Sequence, residues 1–302
     1  MYDIIIIGAG PAGMTAAIYA RRALKKVLVL EATAYGGQII NTPEIDNYPV
    51  APHISGFDFS TKLYNQAVEL EAEFVFEKVI KINDKKSLKE VITSENKYEA
   101  KSVIIATGSD NRKLGIKNEV ELVGKGVSYC ATCDGNFYRG MDVAVVGGGN
   151  TAVEDALYLS NIANKVYLIR RKDKLRADSI EVDKLQKKKN IEFIYNASIS
   201  NLIGKEKLEK IEVKTNEDTI LLEISAIFIA IGRVPATENI KDLIETDEYG
   251  YIESNENCHT NIPGVFAAGD IRKKDLRQLV TATSDGAIAA TEAIKYLNTN
   301  CK

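Results

Sequence analysis

Cys130-Ala131-Thr132-Cys133-Asp134 concentrates reactive groups: two thiols at C-x-x-C spacing, followed at once by a carboxyl. Thiols so placed can open and close a disulfide, and the aspartic acid can pass a proton to a thiolate. A tetrahedral zinc site needs four donors, and no second C-x-x-C or nearby histidine supplies the missing two. The segment therefore reads as a redox dithiol, with two buried structural cysteines as the remaining alternative. Cys258 and Cys301 stand alone, in a polar stretch and in the tail, and read as structural. No metal site is expected.

Phosphate chemistry is indicated twice. Gly8-Ala9-Gly10-Pro11-Ala12-Gly13 and Gly147-Gly148-Gly149-Asn150-Thr151-Ala152 each follow an apolar strand, open a helix and lead to a second strand. Glycines there permit a tight turn, let backbone N–H groups approach a pyrophosphate, and let helix pack on strand. Two dinucleotides are implied. Glu31, at the tip of Val27–Leu30, is placed to accept hydrogen bonds from ribose hydroxyls. The matching tip of the second copy is Arg170-Arg171-Lys172-Asp173-Lys174-Leu175-Arg176, five cations against one anion. Residues 113–244 hold 20 Lys/Arg and 19 Asp/Glu, so outside this heptad they are net −3 and the positive charge is local. A 2′-phosphate would sit there, so the second dinucleotide reads as NADPH rather than NADH; the alternative is a solvated basic loop.

Both loops need a β-turn-α-β unit to hold them, and the chain contains that unit twice. Val103-Ile104-Ile105-Ala106-Thr107-Gly108 resembles Ile227-Phe228-Ile229-Ala230-Ile231-Gly232, while Gly264–Asp270 has no second copy and precedes a last helix of about Gly286 to Leu297. The expected fold is α/β: two Rossmann-like dinucleotide-binding domains, one inserted into the other. Residues 1–112 and 245–302 form the outer, discontinuous domain, and 113–244 form the inserted domain carrying the C-x-x-C. If the outer dinucleotide is a flavin, dithiol and nicotinamide must both reach it from one rigid body, so rotation about the crossings is expected.

The composition of the 302 residues, 45% apolar and 27% charged, is that of a globular chain and excludes disordered, collagenous and coiled-coil classes. No apolar run approaches the ~18–20 residues of a membrane span. Ile4-Ile5-Ile6-Ile7, preceded by Asp3 and ended by Gly8, reads as a buried strand and not a signal peptide. Net charge of −3 gives no reason to bind nucleic acid, and four cysteines are too few for a disulfide scaffold. A cytoplasmic enzyme is expected.

Across nearly its whole length the chain resembles the low-molecular-weight, bacterial-type thioredoxin reductases. The matching segments are Gly8–Gly13, Gly36-Gly37-Gln38, Asn47-Tyr48-Pro49, Ala106-Thr107-Gly108, Cys130–Asp134, Gly147–Ala152, Arg170–Arg176, Thr260–Asp270 and Arg277-Gln278. The dithiol inside the NADPH domain is the most specific of these. The resemblance implies a homodimer that reduces thioredoxin, with FAD in the outer domain and NADPH in the inserted one. FAD would be held by Gly8, Gly10, Pro11, Ala12, Gly13, Glu31, Gly36, Gly37, Gln38 and Asn47, by Ala106, Thr107 and Gly108, and by Gly269, Asp270, Arg277, Gln278 and Leu279. NADPH would be held by Gly147, Gly149, Asn150, Thr151, Arg170, Arg171, Lys172 and Arg176. Cys133 would face the flavin, Cys130 would attack the thioredoxin disulfide, and Asp134 would supply the proton. The family's His-Arg-Arg-x-x-x-Arg motif is altered, with Arg170 in place of His and Lys172 in place of the second Arg. Charge is kept but a bidentate fork is lost, so the margin for NADPH over NADH is expected to shrink. The competing readings are a ferredoxin-dependent reductase with the same dithiol and a flavin-bound redox sensor without turnover.

Overall fold

A computed structural model describes residues 1–302 except Pro43, Asp46, Lys241, Cys301 and Lys302. The reading of Cys301 therefore lies outside the described residues. Contacts divide the chain into two compact units, Met1–Asp110 with Val234–Lys302, and Asn111–Arg233.

The first unit opens with β1 (Tyr2–Ile7), α1 (Pro11–Arg22) and β2 (Val27–Leu30), the β-turn-α-β unit expected from the sequence. After α2 (Gly56–Glu69), β3 (Glu73–Val75) adds in parallel beside β2. An antiparallel hairpin, β4 (Val79–Lys85) and β5 (Leu88–Thr93), joins the start of β6 (Lys97–Ile105), which runs parallel to β1. β7 (Ser109–Asn111) carries the chain into the second unit.

There β8 (Val127–Ser128) leads to the one-turn helix α3 (Ala131–Asp134). The second β-turn-α-β unit follows as β9 (Asp142–Gly147), α4 (Asn150–Ser160) and β10 (Lys165–Ile169). After α5 (Ser179–Gln186) and β11 (Ile191–Ile194), an antiparallel trio is formed by β12 (Ser198–Ile203), β13 (Lys210–Lys214) and β14 (Thr219–Glu223). β15 (Ala226–Ala230) completes a parallel sheet of order β11-β10-β9-β15-β8. The chain returns through β16 (Arg233–Pro235), adds β17 (Val265–Ala267) parallel to β6, and ends in α6 (Leu279–Asn300).

Continuous apolar runs make the central strands because both faces of each sheet are covered. Ile4 and Ile6 enter one core with Met14 of α1 and Ala289 of α6, while Ile5 and Ile7 enter the opposite core with Val103 and Ile252. β9 repeats the pattern: Val143 and Val145 pack with Val153 of α4, and Ala144 and Val146 pack on the other face with Leu202. Strand side chains alternate sides, so a run of four isoleucines serves two cores at once.

Two boundaries differ from the sequence reading. The return crossing expected near 244 lies at Arg233 instead, because Ile240 and Ile244 are buried with Val103, Ile252 and Val265 of the first unit. The last helix begins at Leu279, seven residues before Gly286. That glycine lies inside α6 because α1 passes there; a Cβ on it would come 2.2 Å from the Ala12 carbonyl oxygen. Glycine in this helix answers a packing demand and not a helix start.

Candidate active-site residues: two nucleotide clefts and a dithiol

In the first unit the loops at the carboxyl ends of the parallel strands converge. A Cβ on Gly13 would lie 1.9 Å from the Gly8 oxygen, whereas on Gly10 the nearest atom would be Gly37 Cα at 3.9 Å. The outer glycine thus allows helix and strand to touch, and the central one leaves open space beside the start of α1. No side chain caps α1 and no acid lies in its first turn, so its leading N–H groups are left for an anion. The Glu31 carboxylate accepts the Ala9 and Thr33 N–H groups at 2.8 and 3.1 Å, which fixes it beside the glycine loop. This cradle fits the ADP half of FAD.

Neighbouring segments are tied to the same place. The Gly36 N–H donates to Ala9 O at 2.8 Å, bringing up Gly37 and Gln38, whose Nε2 donates to Ser109 O and Asp110 Oδ1. The Ala106 N–H donates to Ile7 O at 2.8 Å, and Thr107 Oγ1 donates to Ala236 O at 3.0 Å just before Gly108. Asn47 Nδ2 donates to Gln278 Oε1 at 3.0 Å, pairing two positions 231 residues apart. Gly269 and Asp270 form a tight turn against Ala12, and Leu279 opens α6. Arg277 stacks 3.9 Å over the Tyr251 ring and donates to Arg272 O at 3.1 Å, so it braces this turn from outside.

The second cleft repeats the first. A Cβ on Gly149 would meet only Arg176 O, at 4.0 Å, and α4 starts with neither a side-chain cap nor an acid in its first turn, which Thr151 shares. The basic heptad is fastened to this loop: the Arg176 N–H donates to Gly148 O at 2.6 Å, and Asn150 Oδ1 accepts the Asp178 N–H at 3.1 Å. Arg171, Lys172 and Arg176 are exposed at the mouth. Arg170 behaves differently. Its guanidinium lies over Gly148, where a Cβ would come 1.7 Å from Nη1, and burial followed by the nearby Arg176 charge lowers its pKa. It lines the loop and stands apart from the exposed cationic patch.

Cys130 and Cys133 are joined as a disulfide, with Cα atoms 5.3 Å apart. Cys130 caps α3, and its carbonyl accepts the Cys133 and Asp134 N–H groups at 3.3 and 3.2 Å. Burial raises the Asp134 pKa, and a hydrogen bond from Ser128 opposes the rise. Ser128 carried no signal in the sequence; a serine two residues before a cysteine is an unremarkable neighbour until β8 aims it.

An ionic cluster around Asp285 likewise leaves no mark in the local sequence. The Asp285 carboxylate accepts Arg272 Nη1 at 2.6 Å, Lys274 Nζ at 2.8 Å and the Gly269 N–H at 3.0 Å. Asp285→Asn leaves the buried Arg272 and the partly buried Lys274 without their shared anion, and should cost the protein about 3–5 kcal/mol in a urea unfolding titration. A loss under about 1 kcal/mol would mean that water already solvates the cluster. Cys258 is fully buried, with Sγ 3.6 Å from Asp285 O, and burial pushes its thiol up to about 12. In native protein at pH 8 it should resist iodoacetamide and react only after unfolding, as read by peptide mass; prompt native labelling would contradict its burial. Among the described residues no cluster of metal-ligating side chains occurs, and no helix is long and apolar enough to cross a membrane.

Two nucleotide cradles with a dithiol beside the second define a flavin-type disulfide oxidoreductase architecture. The model for pyridine nucleotide-disulphide oxidoreductases matches residues 2–286, and the chain belongs to that family. It is 44% identical over 300 residues to a thioredoxin reductase of Listeria innocua, covering 98% of this chain and 94% of the relative. A Bacillus subtilis thioredoxin reductase is 43% identical over 302 residues, covering 98% and 95%. The crystal structure of a Streptococcus pyogenes thioredoxin reductase superposes with a TM-score of 0.95 at 42% identity, covering 99% of each chain.

Proposed function

We propose that this chain is an NADPH-dependent thioredoxin reductase. The observation that carries the reading is the Cys130–Cys133 disulfide, with Asp134 beside it, in the unit that also holds the second glycine loop and its cationic mouth. Arg171, Lys172 and Arg176 bind the 2′-phosphate, and the α4 N-terminus receives the pyrophosphate. The Gly8–Gly13 loop and Glu31 would hold FAD, which when bound would supply two-electron chemistry. Two-electron reduction breaks the Cys130–Cys133 bond; Asp134 protonates one sulfur and Cys130 is left as thiolate. That thiolate attacks one thioredoxin sulfur, and the other thioredoxin sulfur leaves and is protonated. Cys133, giving its proton back to Asp134, attacks Cys130 Sγ of the mixed disulfide. The Cys130–Cys133 bond re-forms as the second thioredoxin sulfur leaves and takes a proton from water, so that one of the dithiol's two protons balances the hydride of NADPH and the other is drawn from solution. The sum consumes NADPH, one proton and a disulfide, and yields NADP and a dithiol.

Because dithiol and NADPH loop share one unit, the two half-reactions proceed by rotation of that unit about β7 and β16. The enzyme works as a homodimer in the reducing cytoplasm, the dimer being checked by sedimentation. The direct experiment is anaerobic titration of the flavin-loaded protein. NADPH should bleach the yellow absorbance at far lower concentration than NADH, and oxidised thioredoxin should restore it. No bleaching by either nucleotide would refute the donor, and no recovery with thioredoxin would refute the acceptor.

A further inference from the structure

Ser128 is almost wholly buried at the end of β8, and its hydroxyl makes three contacts around the dithiol. Its Oγ lies 2.6 Å from Asp134 Oδ2, accepts the Cys130 N–H at 3.1 Å and lies 3.3 Å from Cys130 O. Among the described residues it is the one side chain that hydrogen-bonds the Asp134 carboxyl.

A hydroxyl has one proton to donate and two lone pairs. With Asp134 ionised, Ser128 donates to Oδ2 while the Cys130 N–H occupies one lone pair. With Asp134 protonated, the second lone pair takes the acid proton, and the serine proton turns to Cys130 O. Every contact is used in one state or the other, and neither state strands a buried polar atom. We propose that Ser128 is the positioning residue of the proton donor: its rotating hydroxyl holds the Asp134 carboxyl at the dithiol in both protonation states. This deepens the proposed reduction, in which Asp134 must change state in every turnover.

Other groups near Asp134 do not offer this service. The Tyr138 phenol, on the turn after α3, is pushed up by burial and by the Asp134 charge, and it takes a backbone hydrogen bond from Gly126. Cys130 and Cys133 are joined to each other. On α4, which packs against α3, Glu154 is exposed and Asp155 is pushed up to about 7 by burial and the Glu154 charge, with Arg233 opposing.

Removing the hydroxyl withdraws the donor from a partly buried carboxylate, which disfavours the ionised form, so the Asp134 pKa must rise. The test is a carboxyl titration by carbon NMR on oxidised, flavin-loaded protein labelled at aspartate, with the Asp134 signal assigned by its loss in Asp134→Asn. Ser128→Ala should move that midpoint up by about one to two pH units, and Ser128→Thr, which keeps the hydroxyl, should return it to within about half a unit. The alkaline limb of thioredoxin turnover should shift in step. An unmoved carboxyl midpoint in a folded Ser128→Ala protein overturns the proposal, as does a shift that Ser128→Thr fails to reverse. The titration needs neither NADPH nor thioredoxin, so failure of the reductase reading leaves its result standing on its own.

Discussion

Cys133→Ser should lower thioredoxin turnover by about three orders of magnitude or more, while bleaching of the flavin by NADPH proceeds as before. Disulfide exchange needs one sulfur to attack and a second to release the partner. With Cys130 alone, attack on thioredoxin ends in a mixed disulfide that nothing resolves, so the variant should accumulate one covalently bound thioredoxin per chain on non-reducing gels. Cys130→Ser should lose turnover to the same degree but trap no partner. The pair assigns direction: trapping by Cys130→Ser instead would exchange the roles of the two cysteines. Residual turnover above a few per cent in both would remove the disulfide from the reaction path. Because Cys130 caps α3 through its backbone and the helix is one turn long, serine at either position should leave the fold intact.

The second large effect concerns the donor. Arg171→Ala with Arg176→Ala should raise the KM for NADPH by on the order of a hundredfold or more, since each charge-assisted contact to phosphate contributes about 1.5–3 kcal/mol. NADH has no 2′-phosphate, so its KM should move by less than about threefold. The backbone of Arg176 keeps its bond to Gly148 O, so the loop stays in place when the side chain is shortened. Equal losses for both nucleotides would mean that the pair shapes the cleft and does not read the phosphate. Lys172 remains in the double variant and should keep some preference for NADPH, weakened as salt rises. Arg170→Ala is a useful contrast: its guanidinium covers Gly148, so its loss should affect NADPH and NADH alike.

Local order along the chain was enough to read both β-turn-α-β units. Strand, glycine loop, helix and strand follow one another within about 30 residues, and each element announces itself by period or by glycine. Glu31 and the basic heptad were legible for the same reason, each sitting at the end of a strand whose start was visible. The C-x-x-C-D segment needed no fold at all, because its reactive groups are neighbours in sequence.

Contacts between distant segments were not written in any local pattern. Residues 234–244 carry no signal of which unit they join; burial of Ile240 and Ile244 against Ile252 and Val265 decides it. Gly286 looked like the start of a helix and proved to be the point where α6 meets α1. Asn47 and Gln278, or Asp285 and the turn at Gly269, become partners only once β17 is laid against β6. The same holds for Ser128, whose nearness to Asp134 depends on the bend between β8 and α3. Sequence alone determined which chemistries the chain holds, since reactive groups and phosphate loops are encoded by neighbours. Tertiary structure decided which polar groups bear on that chemistry, because a buried hydrogen bond joins whatever the packing brings within about 3 Å, however far apart along the chain.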